Sequence, residues 1–190
     1  MLLVETSTVR PVLVESKLKP GVFEMTGVLQ RANAKNQNGR IYKRDVLEKE
    51  VQKYIDNFVN VGNAYGTLDH ADSTVVMLKE ASHVVKALWW DGDNLMGKIE
   101  LLNTPCGNIV KEIAKAGHTI GISSRGTGSV QQTNEGTLMV QPDFELISFD
   151  IVSNPSTHKA FMTPLSLNES KNKAGKYDRL NTIINEILKS

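Results

Sequence analysis

The stretch GHTIGISSRGTG, residues 117–128, sets two adjacent serines between glycines and beside an arginine. Side chains on a β-strand alternate between the two faces of the sheet. The two isoleucines of this stretch therefore share one face with Ser124, whereas Ser123 shares the other face with Arg125. If the isoleucines face the core, Ser123 points toward a cleft and is the candidate nucleophile.

A serine nucleophile at neutral pH needs a base, normally a histidine within hydrogen-bond reach, and a third group that orients this base. The chain has four histidines: His70, His83, His118 and His158. The segment YGTLDHAD (65–72) reads as a short strand that ends in a polar turn, a suitable place to present a ring to a cleft. His70 is therefore the favoured base, with the other three left open.

The third group is sought in ELISFDIVSNPS, residues 145–156. Alternation places Ser148 and Asp150 on the face opposite the large apolar residues. We therefore expect Asp150 to be exposed on a strand whose other side is buried. The glycines after the serines allow the backbone N–H groups around Ser124 and Gly126 to approach an oxyanion.

Composition excludes several classes of protein. Hydrophobic residues make up 40% and charged residues 23% of the 190 residues, and the formal net charge is +1. This balance favours a globular protein without a nucleic-acid or anionic-membrane partner. The N-terminus lacks a signal-peptide pattern, and no run reaches the roughly 18 apolar residues of a membrane helix. We expect a soluble intracellular protein.

Neither a metal nor a cysteine mechanism is favoured. The single cysteine, Cys106, excludes an internal disulfide; it lies where a helix begins, which can activate a thiol, but a bystander role is the better interpretation. Asp69, His70 and Asp72, with His83, offer metal ligands, yet they lack the helical spacing of a hydrolytic zinc site. We expect no metal and no cofactor.

The chain divides into an extended N-terminal arm (1–20), one folded domain (21–165), and a polar linker with a C-terminal helix (166–190). Apolar periodicity and turn residues predict a mixture of strands and helices within the domain. The predicted elements are a strand at 21–32, an amphipathic helix from Asp45 to Phe58, a hairpin at 84–101, a helix from Pro105 to Gly117, a strand in 117–128, and strands near 137–141 and 144–153. The expected fold class is α+β, mostly an antiparallel β-barrel flanked by helices.

Five segments, in this order and spacing, resemble the prohead (capsid maturation) proteases of large tailed bacteriophages. The resemblance covers roughly residues 1–165, and its segments are LKPGVFEMTGVLQRANAKNQNGRIYKRDVLEKEVQKYI (18–55), YGTLDH (65–70), ALWWDGDNLMGKIEL (87–101), AGHTIGISSRGTGSV (116–130) and FDIVSNPS (149–156). The resemblance implies a serine protease with a fold like that of the herpesvirus assemblins.

The resemblance also implies roles for individual residues. His70 fills the histidine position of a Gly-x-Leu-x-His motif, and Ser123 is the first serine of a Gly-(Ile/Val)-Ser-Ser-Arg motif. Asp150 matches an aspartate of the family pattern and is chosen as the third member, with Ser148 and His158 as rivals. Arg125 is expected to hold a water or a loop near the oxyanion site, together with supporting residues Ser124 and Gly126.

Such proteases are expected to act in the host cytoplasm, inside the immature capsid, where inactive precursors become active and cut scaffold and major capsid proteins. Cleavage follows a Glu that has Leu or Ile two residues before it. This chain contains such sites at Glu5, Glu15 and Glu169, so self-processing after Glu15 and Glu169 is expected, and both flanking segments would be propeptides. A basic pocket should receive the substrate Glu, and homo-oligomerisation is left open.

Two other functions are alternatives to a protease. A catalytically silent β-barrel assembly protein would keep the fold without the chemistry, but the presence of both Ser123 and His70 argues against it. An esterase would use the same groups, but it would not explain the Leu-x-Glu sites near the chain ends.

Overall fold

A computed structural model describes residues 2–9, 14–15, 21–71, 73–134, 136–153 and 162–164. Within these ranges the fold is α+β, with mainly antiparallel strands and two α-helices. The elements are β1 (Leu2–Val9), β2 (Val14–Glu15), β3 (Phe23–Arg31), β4 (Arg40–Ile41), α1 (Arg44–Tyr54), β5 (Tyr65–Thr67), β6 (Ala81–Asp91), β7 (Asn94–Leu101), α2 (Pro105–Lys115), β8 (Ile120–Thr127), β9 (Val130–Gln132), β10 (Leu138–Val140), β11 (Glu145–Val152) and β12 (Met162–Pro164). A π-helical turn (Ile55–Val59) continues α1, and a 3-10 turn (Leu78–Glu80) precedes β6.

Both predicted helices form, and local sequence explains their ends. α2 begins at Pro105, whose fixed φ suits the first helical position, and the Thr104 hydroxyl accepts a hydrogen bond from the Gly107 N–H at 3.1 Å. Gly117 follows the helix with a φ of +79°, the left-handed conformation that ends many helices. α1 begins at Arg44, one residue before the expected start.

The predicted hairpin is β6–β7, with Asp91 paired to Asn94 across a turn that contains Gly92 at φ +56°. The strands expected at 21–32, 137–141 and 144–153 appear as β3, β10 and β11. The structure has more strands than the sequence pattern predicted, because β2, β4, β9 and β12 are too short to show alternation.

The described strands form three sheets. The largest has the order β12-β3-β7-β6-β5, with β2 also paired to β3. The second has the order β1-β8-β11, is antiparallel throughout, and carries the 117–128 stretch at its centre. The third, β4-β10-β9, contains one parallel pair.

The ladders between these described strands do not close into one ring, so a closed barrel is not detected. The largest sheet meets the second where β5 ends: Leu68 forms a parallel bridge with Ile151, and the Asp69 N–H donates to the Ile151 carbonyl at 2.7 Å. Asp69 has a φ of +61°, which turns the chain at this corner. Pairing between the two sheets therefore stops after one bridge.

The N-terminal segment is extended, as expected, but residues 2–9 do not form an arm apart from the core. All eight residues of β1 pair with β8. The Leu3 side chain is 1% exposed and packs in an apolar cluster with Tyr42, Leu47 and Phe144. The interpretation was wrong here because the prolines that follow this strand, Pro11 and Pro20, do not interrupt it.

A larger apolar cluster lies between the two main sheets and the helices, and includes Met25, Tyr54, Val110, Ile122 and Phe149. It buries one face of β8 and β11. The predicted linker and C-terminal helix (166–190) lie outside the described residues. Within the described ranges, no helix is long and apolar enough to cross a membrane.

Candidate active site

Antiparallel pairing of β8 with β11 brings two pairs of polar residues together. Ser123 lies opposite Asp150, and Arg125 lies opposite Ser148. Directly paired residues in an antiparallel sheet have their side chains on the same face. The side chains of these four residues therefore lie together on one face of the second sheet.

His70 reaches this face from the segment that follows β5. Its Nε2 lies 2.9 Å from the Ser123 Oγ, and its Nδ1 lies 3.0 Å from the Asp150 Oδ2. The turn at Asp69, held by the bridge to Ile151, sets the histidine above the serine–aspartate pair. The chain of hydrogen bonds thus runs from hydroxyl to imidazole to carboxylate.

Asp150 accepts hydrogen bonds on both carboxylate oxygens. Oδ2 accepts from the Arg125 Nε at 2.7 Å as well as from His70, while Oδ1 accepts from the Thr67 N–H at 3.2 Å and the Ser148 Oγ at 2.9 Å. Burial by itself would raise the pKa of this carboxyl group. The bonds from His70 and Arg125, with the charge of Arg125, hold its pKa well below the usual range. Asp150 is therefore a permanent anion at neutral pH.

Arg125 links the carboxylate to the segment after the histidine. It forms a buried ion pair with Asp150 through Nε and Nη2, and its Nη1 donates to the Ser73 carbonyl. This contact holds the backbone that follows His70 against the sheet. The expected role of Arg125, holding a water or a loop near the oxyanion site, stays a prediction.

The expected exposure of this face is wrong. Ser123, Arg125 and Asp150 are each 0% exposed, and only the His70 side chain, at 23%, reaches the surface. Thr67, His70 and Ser73 cover this face through the hydrogen bonds described above. Alternation identified the face correctly, but it could not show what covers it.

Ser124 lies on the core side, as expected, and is buried there with a partner of its own. The Gln30 Nε2 donates to the Ser124 Oγ at 3.0 Å. Gly126 has a packing reason to be glycine, because a Cβ at this position would lie 2.5 Å from the Phe144 ring and from the Glu145 carbonyl oxygen. Neither observation tests an oxyanion role.

His83 is the second histidine close to the triad, and its position on β6 makes it a support. Its Nε2 lies 3.0 Å from the Phe149 carbonyl oxygen, and its Nδ1 lies 2.9 Å from the Ser82 Oγ. Burial lowers the pKa of His83 to about 4, so it is neutral and donates to the carbonyl. Gly66 leaves room for the ring, since a Cβ there would lie 2.3 Å from it.

Of the remaining candidates, His118 does not join the cluster, because it is exposed after α2. His158 and Asp72 lie outside the described residues. Sequence reasoning missed Thr67 as a donor to Asp150, and it missed His83 as a support. Across the described part of the chain, no three His, Cys, Asp or Glu side chains are grouped as metal ligands.

Two partly apolar cavities flank the segment that covers the polar face. One, of about 300 Å³, is lined by residues that include Leu68, Ile113 and Val152. The other, of about 420 Å³, lies at the start of β11 beside Tyr54 and Ile147.

The hydrogen-bond chain at this site has a known chemical capacity. A hydroxyl held by an imidazole, which is held in turn by a carboxylate, can perform nucleophilic acyl transfer.

Comparisons with known proteins show which family the chain belongs to. The chain matches the family model described as prohead core protein serine protease over residues 3–172. It is 35% identical over 157 residues to the prohead core protein protease of Enterobacteria phage T4, which covers 81% of this chain and 74% of that protein. Its structure is similar to that of the bacteriophage T4 capsid assembly protease, with a TM-score of 0.75, 31% identity, and coverage of 81% of this chain and 98% of that one. The resemblance seen in the sequence is confirmed, and the chain belongs to the prohead core protease family.

Proposed function

We propose that this chain is a serine endopeptidase with Ser123 as nucleophile, His70 as general base and Asp150 as the group that orients the imidazole. The supporting observation is the unbroken hydrogen-bond chain from the Ser123 Oγ through both nitrogens of His70 to Asp150. Because Asp150 accepts from Nδ1, Nε2 is the unprotonated nitrogen and accepts the serine proton.

The reaction follows from these positions. Ser123 attacks the substrate carbonyl carbon while its proton moves to His70 Nε2, and the imidazolium then gives that proton to the leaving amine. The acyl-enzyme is hydrolysed by water, with His70 again as base, which releases the carboxylate product and restores the hydroxyl. Asp150 stabilises the imidazolium without taking the proton.

Arg125 sets the strength of that stabilisation. A carboxylate shared between an imidazole and a buried guanidinium is partly neutralised, so it orients His70 more than it adds negative charge. Removing Arg125 would leave an unpaired buried anion and would free the Ser73 carbonyl. We assign Arg125 to positioning of both the acid and the covering segment.

Backbone N–H groups of Ser124 to Gly126 are the proposed oxyanion donors. These groups belong to the central strand of a three-stranded antiparallel sheet, and such a strand directs its N–H groups alternately toward its two neighbours. Donors that point toward β1 are engaged while β1 is paired. A vacant oxyanion site along this edge therefore requires a change in β1.

The proposed substrates are the scaffold and major capsid proteins of the prohead, cut after Glu in Leu/Ile-x-Glu sites, within the immature capsid in the host cytoplasm. Support comes from the names of the T4 relatives, a prohead core protein protease and a capsid assembly protease. Self-cleavage after Glu15 and Glu169 would remove residues 1–15 and 170–190 as propeptides. The protease domain would then be the part within residues 21–165.

We further propose that the fold is a barrel related to the herpesvirus assemblins. The bridge between Leu68 and Ile151 supports this proposal, because it joins the edges of the two main sheets at one corner. Superposition on a solved assemblin tests the relation; a match confined to single hairpins would contradict it.

One observation favours the alternative, a catalytically silent assembly protein: Ser123 is wholly buried. Incubation of purified wild type and Ser123→Ala, followed by mass spectrometry of the fragments, separates the two functions. We expect the wild type alone to lose residues 1–15 or 170–190, and to cut a denatured capsid protein after Glu. An intact wild type that matches Ser123→Ala at every time point would support the silent protein instead.

A further inference from the structure

We propose that the cavity of about 300 Å³ beside the turn that carries His70 binds a lysine side chain of the substrate, two residues after the scissile bond, with Asp69 as its counter-charge. The site rests on the proposed protease function and deepens it, because it adds a residue on the leaving side to the Leu/Ile-x-Glu pattern. Asp69 is then a specificity-determining residue whose contribution is separate from that of the triad.

The two expected self-cleavage sites share residues beyond the cleaved Glu. Residues 15–19 read ESKLK, and residues 169–173 read ESKNK. Both have a lysine two residues after the Glu, although the Leu/Ile-x-Glu pattern makes no demand there. The third such site, after Glu5, is followed by Thr-Ser-Thr. A cation at a fixed distance after the cut is a feature that an anionic group of the protease can recognise.

The chemistry of the triad locates the residues that follow the scissile bond. In the proposed reaction His70 gives its proton to the leaving amine, so this part of the substrate passes the imidazole. Asp69 directly precedes His70, and its N–H donates to the Ile151 carbonyl at 2.7 Å. Ile151 pairs with Ile122, so this corner lies toward the start of β8, whereas the proposed oxyanion donors lie toward its end. The cavity beside Asp69 is therefore on the leaving side.

The distance from the nucleophile to the cavity suits the second residue after the cut. Ile120 of β8 lines the cavity and precedes Ser123 by three positions in the chain. An extended peptide advances about 3.3 Å per residue, so its second residue lies roughly 7 Å from the scissile bond. A peptide that runs from Ser123 toward the start of β8 thus brings this side chain to the cavity.

The walls of the cavity suit the hydrocarbon stem of a lysine. Its apolar lining includes Leu68, Ile109, Ile113 and Ile151. Ile109 and Ile113 lie one turn apart on α2 and are 49% and 38% exposed, so the cavity opens to the surface beside this helix. Lysine packs its methylene groups along apolar surface of this kind and keeps its ammonium group in water.

Asp69 supplies the negative charge at the cavity. The residue is exposed, and it contacts the fold through its backbone: its N–H donates to Ile151, and its carbonyl accepts from the Thr67 Oγ1 at 2.7 Å. Among the described residues, no hydrogen bond or ion pair engages its carboxylate. The carboxylate is therefore available to an incoming ammonium group, while the backbone holds it on the leaving side.

A crossed set of two proteins and two peptides tests this pair. Wild type and Asp69→Asn are assayed with a fluorogenic peptide of residues 11–18, PVLVESKL, and with PVLVESQL, in which glutamine replaces the lysine. Asparagine tolerates the φ of +61° at this position and keeps the backbone bonds. We expect wild type to favour the lysine peptide about threefold to fivefold in kcat/KM, mainly through KM, and Asp69→Asn to cut both peptides equally. Added salt should reduce the preference of wild type.

The matched control is Asp91→Asn, which removes an exposed carboxylate at the β6–β7 turn and so changes the net charge by the same amount. This variant should keep the preference of wild type. Equal losses in the two variants, a preference that survives in Asp69→Asn, or no preference in an active wild type would overturn the proposal. The protease function fails in a different way: wild type would then cut neither peptide faster than Ser123→Ala.

A second test moves the charge to another wall of the cavity. Ile109→Glu is combined with Asp69→Asn, and the matched control combines Asp69→Asn with Asn108→Glu, an exposed position of α2 that does not line the cavity. We expect Ile109→Glu to restore a lysine preference of about threefold, because a carboxylate again stands beside the cavity, and Asn108→Glu to restore none. Failure of Ile109→Glu to restore it, or equal effects of the two substitutions, would contradict binding of the lysine in this cavity.

Discussion

The adjacent residues Ser123 and Ser124 lie on opposite faces of β8 and have different hydrogen-bond partners. On one face, Ser123 meets His70 and a carboxylate whose charge is fixed by Arg125. On the other face, Ser124 lies in the core and is bonded to Gln30. Both hydroxyls are buried, so burial does not distinguish them. Their hydrogen-bond partners, and not their accessibility, therefore distinguish the two hydroxyls.

The sharpest test of this comparison removes each hydroxyl in turn. Ser123→Ala should lower kcat/KM by at least about a thousandfold, because no other described hydroxyl lies within reach of His70 Nε2. The measurement is cleavage of a peptide with the sequence of residues 11–18, PVLVESKL, which contains the expected site after Glu15. Thermal unfolding is the control for folding. A folded Ser123→Ala that keeps activity while Ser124→Ala loses it would reverse the assignment of the faces.

The next test removes the negative charge of Asp150 from the polar face. Asp150→Asn leaves the Arg125 guanidinium without its buried counter-charge, so we expect a loss of about 3–5 kcal/mol in the free energy of unfolding. Ser148→Ala is the matched control, because it removes one neutral donor to the same carboxylate and should cost about 1 kcal/mol. Urea unfolding at pH 7 measures both.

The pH dependence of the same pair has a definite sign. The pKa of Asp150 is lower in the folded than in the unfolded chain, where it is near 4, so its contribution to stability is present above that pH. This contribution declines as pH falls below about 4. The stability difference between wild type and Asp150→Asn should therefore shrink in acid; a difference that grows there would show that the carboxyl group is not held as an anion.

A third test concerns His83, which supports β11 from the core side through the Phe149 carbonyl. Its pKa is about 4 in the folded chain and about 6.5 when unfolded, so the unfolded chain binds the extra proton between these values. Stability should fall by up to about 3 kcal/mol as pH drops through this window.

His83→Gln should lack that part of the slope, since a glutamine amide can donate to the carbonyl without titrating. All other titrating groups are common to the two proteins, so the difference in their unfolding free energies between pH 4 and 8 reports on His83. Parallel curves for the two proteins would contradict the neutral, buried histidine.

Alternation along the strands was enough to separate the face of Ser123 from that of Ser124 and to place Asp150 opposite the apolar residues of its own strand, because period-two patterning follows directly from strand geometry. The choice of Asp150 over Ser148 and His158 came from the resemblance to the family. Local context favoured His70, and its position in the structure depends on the turn at Asp69. A positive φ at a residue other than glycine leaves no pattern in the sequence. The turn at Asp69, which sets the position of His70, could therefore not be predicted.

What covers the polar face could not be read from the sequence. The segment after His70 packs on the sheet through the Ser73 carbonyl, a backbone group that any residue supplies. The register shift in β11 between Leu146 and Ser148 sets Ser148 opposite Arg125, and such an irregularity does not appear as a break in alternation. Contacts made by backbone groups and bulges therefore limited the prediction more than the identities of the reactive side chains.

The smallest expected effect is on the core face, and it completes the comparison. Ser124→Ala leaves the Gln30 amide buried with one partner fewer, so we expect a loss of about 1–2 kcal/mol in the free energy of unfolding. Activity should fall by less than about tenfold, since the hydroxyl makes no bond to the triad.

Gln30→Leu with Ser124→Ala is the matched double variant. Removing both polar partners from an apolar site should restore part of the lost stability, because no unsatisfied amide remains. Urea unfolding of the two single variants and the double variant measures their coupling. Additive losses in the free energy of unfolding would mean that the hydrogen bond between Gln30 and Ser124 does not couple these two residues.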